Sequence, residues 1–280
     1  MSTIIESILP KVIKKRPSDS HKGNYGRILL IGGSENYGGA IIMAAEGALN
    51  SGAGLISVAT HAVNLDALHA RDPEIMFVDW RDRNLVKLIP QMDVIVCGPG
   101  LGVGSVAHTI MTILNQSISA KQTLILDANA LTFIGQEPEL IPQTAGLIVI
   151  TPHQMEWQRL SQIRIPYQTD SANVDALKRI FPTQNAILVL KSNHTHVYSK
   201  SEPAFVNPIG NPGMATGGMG DTLAGIIGGF TAQFGGNLNS VLAAVYIHSL
   251  AGDQLAKNNY VVRPTEISAL LPKLMRHYAN

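Results

Sequence analysis

Six short apolar runs, each followed by a turn and a helix-like segment, constrain the fold of this chain more than any other feature. The runs are RILLIG, GLISVA, DVIVCG, TLILDA, GLIVIT and AILVLK. They are apolar almost throughout rather than alternating, which is typical of strands that are covered on both faces of a sheet. Strands that alternate with helices in this way form a mainly parallel sheet between helical layers. The sequence therefore predicts an α/β fold, a three-layer αβα sandwich.

Two segments depart from this alternation. HTHVYSK followed by PAFVN predicts a hairpin, and the chain after Asp221 has a helical pattern throughout. No internal repeat, low-complexity tract or Pro/Ser-rich linker divides the 280 residues, of which 45% are hydrophobic. That content is enough for a substantial core, so we expect a single domain over residues 1–280.

The charge pattern narrows the class of partner. The net charge is +1, and the charges are scattered apart from the short KVIKK run, so binding to nucleic acid is not indicated. The first twenty residues have an acidic residue within their apolar part and no small-residue cleavage site, so we predict no signal peptide. No run is long enough to cross a bilayer, and the single Cys97 cannot form an internal disulfide. We expect a cytoplasmic protein without a membrane partner.

The stretch GNPGMATGGMGDTLAGIIGG, residues 210–229, places eight glycines in twenty residues. A dense glycine cluster indicates unusual dihedrals or a ligand pressed against the backbone. The apolar spacing that follows predicts a helix beginning near Asp221, and a helix N-terminus with free N–H groups binds anions such as phosphate. The loop is neither a Walker loop nor a dinucleotide G-x-G-x-x-G loop. Asp221 is either the N-cap of the helix or a catalytic carboxylate, and the loop alone leaves both interpretations open.

Polar residues follow the predicted strands, at the carboxyl ends where open α/β sheets bind ligands. Asp127 and Asn129 follow TLIL, and Asp127 either caps the short ANALTFI helix or contacts a ligand. In TPHQ, Thr151 suits an N-cap, Pro152 the first helical position and Gln154 a capping box. His153 is then left without a capping role, as a candidate ligand contact or a solvated surface histidine.

Seven segments together resemble a known family: HKGNYGRILLIGGSENYGGA, NSGAGLISVAT, CGPGLG, LILDANAL, TPHQMEW, VLKSNHTHVYS and GNPGMATGGMGDTLAGIIGG. They resemble the ADP/ATP-dependent NAD(P)H-hydrate dehydratases of the ribokinase-like superfamily, over about residues 4–274. GMGD alone would indicate only the superfamily, which includes kinases of sugars and small heterocycles. The resemblance implies a ribokinase-like fold and the ADP-dependent dehydration of the S epimer of NADH or NADPH hydrated at C6.

The resemblance also implies roles for residues of this chain. Asp221 would be the catalytic base, next to an anion hole formed by the backbone amides of Gly217, Gly218, Met219 and Gly220. The positions that match contacts to the hydrated dinucleotide are Ala40, Gly102, His153 and Asp221. The positions that match contacts to the adenine nucleotide are Lys191, Ser192, Asn193, His194, Thr195 and Gly220. Asp127 and Asn129 remain further candidates, and Ser192 stands where many relatives have Gly.

The expected co-substrate is ADP, or alternatively ATP, and the expected assembly is a homotetramer, which the apolar helical stretch SVLAAVYIHSLAG permits. No cluster of carboxylates or histidines has metal-ligand spacing, so we predict no protein metal site and expect Mg²⁺ to arrive bound to phosphates and water. Two alternatives stay open. One is a kinase of a small hydroxymethyl heterocycle that releases a stable phosphorylated product, and the other is a non-catalytic nucleotide-sensing protein.

Overall fold

The computed structural model describes residues 2–142 and 144–280. Its strands are β1 (Ser2–Thr3), β2 (Arg27–Ile31), β3 (Leu55–Thr60), β4 (Met76–Asp79), β5 (Val94–Cys97), β6 (Thr123–Leu126), β7 (Leu147–Ile150), β8 (Ala186–Leu190), β9 (His196–Ser199) and β10 (Phe205–Val206). Its α-helices are α1 (Ile8–Val12), α2 (Gly38–Asn50), α3 (Leu65–Arg71), α4 (Leu85–Leu88), α5 (Ser105–Ser117), α6 (Asn129–Gln136), α7 (Gln154–Ser161), α8 (Asp170–Ile180), α9 (Met219–Phe234), α10 (Leu238–Ala256) and α11 (Pro264–Tyr278).

All the strands of the described residues belong to one sheet, with the order β1-β10-β9-β8-β7-β6-β5-β2-β3-β4. The strands from β8 to β4 in this order are parallel, whereas β9 runs antiparallel to both β8 and β10. All six predicted strands and the predicted hairpin are confirmed, as is the helical end of the chain. The pattern did not predict β1, with two residues, or β4 at the sheet edge, where Met76 is exposed.

Consecutive residues of the central strands enter different cores. Ile28 and Leu30 of β2 pack in a core with α2, α9, α10 and α11, while Leu29 and Ile31 pack with α5, α6, α7 and α8 on the other face. A strand between two helical layers has no solvated face, so both its side-chain rows are apolar. This confirms the three-layer αβα sandwich.

Part of the glycine cluster serves helix packing rather than a ligand. A Cβ atom at Gly225 would lie 1.8 Å from the backbone oxygen of Ala44, and one at Gly229 would lie 1.9 Å from Ser51 Oγ. Both neighbours belong to α2 or its C-cap, which packs directly along α9. Small residues let the two helix backbones approach closely. For these two glycines, close helix packing is thus the reason, which neither of the two predicted explanations included.

The apolar stretch SVLAAVYIHSLAG lies in α10 and is buried within a single subunit. Residues from Ser240 to Ser249 are all at most 8% exposed, since α10 packs on α9, α11 and α1. The apolar side chains of this stretch are thus buried inside one chain. The prediction that they are available for a subunit interface is wrong. In the described part of the chain, no helix has the length and apolar character that crossing a membrane requires.

Candidate active site

A cavity of about 640 Å³ lies at the carboxyl ends of β6, β7 and β8, beside the first turn of α9. Its lining includes these predicted site residues: Asp127, His153, Lys191, Ser192, Asn193, Thr195, Met219, Gly220 and Asp221. They come from four separate parts of the sequence. Another cavity, of about 700 Å³, lies between the segment 11–25 and the start of α10 and contains none of the predicted residues.

Asp221 belongs to the first turn of α9 and does not cap it. The helix begins at Met219, and its N-cap position is Gly218, which makes no side-chain cap. The interpretation of Asp221 as an N-cap is therefore wrong. The pKa of the Asp221 carboxyl is raised to about 6, mainly by burial and also by the charges of Asp127 and Glu156, which together outweigh the opposing charge of Lys191. A carboxylate with this pKa in a cavity can accept a proton near neutral pH.

Lys191 and Asp127 form an ion pair at the base of the cavity. The Lys191 Nζ–Asp127 Oδ1 distance is 2.8 Å, and the side chains are 21% and 2% exposed. Burial lowers the pKa of Lys191, but the charge and hydrogen bond of Asp127, together with Glu156 and Asp221, outweigh burial and raise it. Lys191 is therefore charged at neutral pH. Asp127 is not the side-chain cap of the helix that follows, because α6 has Ala128 at its N-cap without a side-chain bond.

His153 has the capping role that we assigned to Thr151. Its Nδ1 accepts hydrogen bonds from the backbone N–H groups of Met155 (3.1 Å) and Glu156 (3.2 Å), and Glu156 Oε2 accepts from the His153 N–H at 2.8 Å. The predicted box of Thr151, Pro152 and Gln154 is thus wrong.

The reason for this shift is that sheet pairing continues past β7. The backbone N–H of Thr151 donates to Leu126, and that of Lys191 donates to Pro152 at 2.8 Å. Residues held in an extended conformation by these bonds cannot begin a helix, so α7 starts at Gln154. The His153 side chain is still 54% exposed and lines the cavity, and its Nε2 lies 3.6 Å from Glu156 Oε2.

The glycines before and in the first turn of α9 differ in whether the surrounding structure leaves room for a side chain. Gly218 has a φ of +92°, and a Cβ atom there would also lie 2.3 Å from the Met43 side chain. At Gly220 a Cβ atom would lie 3.0 Å from Lys191 Nζ. At Gly217 it would meet no described atom within 4 Å. The fold thus requires Gly218, whereas no neighbour in the described chain requires Gly217.

The predicted residues that do not line the cavity form two groups. Asn129 Oδ1 accepts from the backbone N–H of Gly102 at 3.1 Å, and Ala40 lies on the neighbouring first turn of α2. Between this group and Asp127 stands Ala128, with a φ of +47°, a conformation that a residue with a side chain rarely adopts. Strained backbone of this kind clusters at functional sites. The remaining residues outside the lining are His194, Gly217 and Gly218.

Ser192, which departs from the family pattern, bonds within its own loop. Its hydroxyl donates to the backbone oxygen of His194 at 2.5 Å. The side chain therefore links the two ends of the short turn from Ser192 to His194, which follows β8.

Several polar residues on α10 and on the loop that crosses it also belong to this site, although the sequence pattern did not predict them. His248 and Ser249 line the cavity, as does Asn211, whose Nδ2 donates to Asp253 Oδ1 at 2.8 Å. Asn207 Nδ2 donates to Ser249 Oγ at 2.8 Å. The only signal in the sequence was a histidine within an otherwise apolar helical run, which does not by itself distinguish a core residue from a site residue.

Comparison with known proteins places this geometry in a family. A sequence profile described as NAD(P)H-hydrate dehydratase matches residues 28–273. The ADP-dependent (S)-NAD(P)H-hydrate dehydratase of Lactiplantibacillus plantarum is 50% identical and aligns with 100% of this chain and 99% of its own length.

Two crystal structures have the same fold. A ribokinase-like superfamily protein from Enterococcus faecalis has a TM-score of 0.94 at 46% identity, covering 100% of this chain and 96% of its own. The ADP/ATP-dependent NAD(P)H-hydrate dehydratase of Bacillus subtilis, co-crystallised with ATP/Mg²⁺, has a TM-score of 0.84 at 26% identity, covering 99% and 98%. The ribokinase-like fold predicted from the sequence is confirmed, and the chain belongs to the NAD(P)H-hydrate dehydratase family.

Proposed function

We propose that this chain catalyses the ADP-dependent dehydration of the S epimer of hydrated NADH or NADPH, which restores the reduced dinucleotide. The observation that carries this proposal is the placement of Asp221, Lys191 and the first turn of α9 around one cavity. Relatives that carry the name of this activity match the chain from end to end. The enzyme is then a hydro-lyase that repairs a damaged nicotinamide nucleotide.

The reaction needs only one phosphoryl transfer. The C6 hydroxyl oxygen forms a bond to the β-phosphorus of ADP, the bond from that phosphorus to AMP breaks, and the hydroxyl proton passes to Asp221. Phosphate is a far better leaving group than hydroxide, so the lone pair of ring N1 expels it from C6. Loss of a proton from C5 then restores the C5=C6 double bond of the dihydropyridine ring. The products are NAD(P)H, AMP and phosphate.

The loop and first turn of α9, beside the cavity, offer donors for the transferred group. The amides of Gly217, Gly218, Met219 and Gly220 form the anion hole, at the N-terminus of the sixteen-residue helix α9. The open space at Gly217 supports this role, since a side chain there would project where no described atom lies. Lys191 adds a positive charge that Asp127 holds beside Gly220.

The two substrates would contact different groups of residues, of which Ala40 and Gly102 lie outside the cavity lining. Ala40, Gly102 and His153 contact the hydrated dinucleotide, and the segment from Lys191 to Thr195 contacts ADP together with Gly220. Among the described residues, no group of three or more His, Cys, Asp or Glu side chains is arranged to hold a metal ion. We therefore assign Mg²⁺ to the nucleotide phosphates, where it neutralises charge on their oxygens. A cytoplasmic location is part of this proposal.

Product analysis tests the activity. The protein is incubated with hydrated NADH, Mg²⁺ and either ADP or ATP, while the absorbance of the reduced ring is followed. We expect free phosphate, AMP from ADP, and recovery of the absorbance. A stable phosphorylated product would instead indicate a kinase, and ADP binding without turnover of any hydrate would indicate a sensor.

His153 allows a test in which capping and ligand contact are separated. Asn caps helices well, so His153→Asn should keep the melting temperature. Its affinity for the hydrated dinucleotide should fall about tenfold, while its affinity for ADP should stay unchanged. His153→Ala should show the same affinity change and also lose about 1 kcal/mol of stability with the cap. Isothermal titration with each ligand and thermal unfolding measure both effects. An equal loss of affinity for both ligands would contradict the contact.

We also propose a homotetramer, which rests on the family resemblance. Light scattering at micromolar concentration should give four times the mass of the chain. A monomeric mass would contradict the assembly without affecting the proposed reaction.

A further inference from the structure

One wall of the active-site cavity is built by a face of α10 and the loop that crosses it. Val245 lies one helical turn before His248 and Ser249, and all three line the cavity. The loop is fixed to this face by Asp253, which accepts hydrogen bonds from the Gly210 N–H (3.1 Å) and from Asn211 Nδ2 (2.8 Å). This wall is therefore an ordered surface rather than a gap between loops.

The wall is mostly apolar, in contrast to the charged base of the cavity. Its apolar members are Ile209, Pro212, Met214, Ala215 and Val245. The base carries Asp127, Lys191 and Asp221. A nucleoside diphosphate divides in the same way, because its phosphates are charged while its nucleoside has flat apolar faces. If the phosphates lie at Lys191 and Gly220, the nucleoside lies against α10.

His248 carries one of the two buried side-chain atoms of this wall, His248 Nε2 and Asn211 Oδ1, that have no partner among the described atoms. The residue is only 6% exposed, and its Nε2 is buried with no hydrogen-bond partner among the described atoms. The pKa of His248 is lowered to about 4, because burial, the largest effect, outweighs a backbone hydrogen bond at Met219, and the charge of Lys191 acts in the same direction as burial. The ring is thus neutral at neutral pH. A neutral ring has one protonated and one unprotonated nitrogen, and in the tautomer protonated at Nδ1 the Nε2 is an acceptor.

A buried acceptor without a donor is costly, and such groups in native proteins have a reason. The cavity that the ring lines is the place from which a donor can come. We propose that His248 is a specificity residue whose Nε2 accepts a hydrogen bond from the nucleoside of ADP, either from a ribose hydroxyl or from the amino group of adenine. The identity of the occupant rests on the proposed function, whereas the unpartnered nitrogen does not.

The test measures binding rather than turnover. Dissociation constants are obtained by calorimetry for ADP and three analogues: 2′-deoxy-ADP, 3′-deoxy-ADP and purine riboside diphosphate, which lacks the amino group. We expect the wild-type protein to bind one of these analogues about tenfold more weakly than ADP. His248→Leu should bind ADP about tenfold more weakly and should no longer distinguish that analogue from ADP. The analogue concerned identifies the donor.

Two further variants separate binding from folding. His248→Gln keeps an oxygen acceptor and should retain part of the discrimination, even if His248→Leu proves unstable. Tyr246→Phe, on the same helix but outside the cavity lining, should bind all four ligands like the wild type. Unchanged discrimination in His248→Leu, or a wild type that does not discriminate, would overturn the proposal. A protein that discriminates these nucleotides but does not dehydrate hydrated NADH would contradict only the proposed function.

Discussion

Replacing Asp221 with Asn should lower turnover by roughly 10²–10⁴-fold while ADP affinity stays almost unchanged, which is the usual effect of removing a general base. An amide of the same shape cannot accept the hydroxyl proton. Since Gly218 occupies the N-cap position, the change removes no cap, in contrast to what the sequence alone allowed. Turnover above about a tenth of the wild-type value would contradict the role of Asp221 as the base.

Stability and pH provide the controls for this variant. The raised pKa of Asp221, about 6, means that the folded protein favours the neutral carboxyl, so ionisation costs stability as the pH rises from about 4 to 6. Asp221→Asn removes this cost and should melt at the same temperature as the wild type or higher at pH 8. For the wild type, kcat/KM should rise with pH through about 6, because the base must be ionised. Asp175→Asn, at an exposed position on α8, should change neither property.

Replacing Lys191 with Met should affect both catalysis and stability. The apolar side chain has a similar length but no charge, so we expect turnover with ADP to fall by roughly 10²–10³-fold. Asp127 is then left 98% buried beside no cation, and the free energy of unfolding should fall by about 2–4 kcal/mol. Urea unfolding at pH 7.5 and steady-state kinetics measure the two effects.

A double variant distinguishes the roles of Lys191. Adding Asp127→Asn to Lys191→Met removes the unpaired charge and should restore most of the stability, but it should not restore turnover. A stability loss below about 1 kcal/mol in Lys191→Met would mean that solvent screens the pair as it does surface ion pairs. Recovery of turnover in the double variant would contradict a direct role for the lysine charge.

Local rules identified much of the site because they act on neighbouring residues. Asp221, Lys191 and His153 each follow a predicted strand or loop, and parallel strands bring such positions to one edge of the sheet. The same rules misplaced the caps. Thr151 has the right residue type for an N-cap, but its pairing with β6 holds it in the extended conformation, and pairing between strands is not visible in a local window.

The sequence by itself determined the layers of this protein, since two-sided burial of a strand leaves a continuous apolar run that no other environment produces so regularly. It also predicted the loop to which we assign anion binding, because glycine and helix periodicity are local signals. Only the tertiary structure decided which partner each polar side chain has. It pairs Asp127 with Lys191 across 64 residues and packs Gly225 against the backbone of α2. It also leaves His248 Nε2, beside the cavity, without a partner among the described atoms. The physical reason is that such contacts depend on the distances between elements far apart in the chain, which residue spacing does not encode.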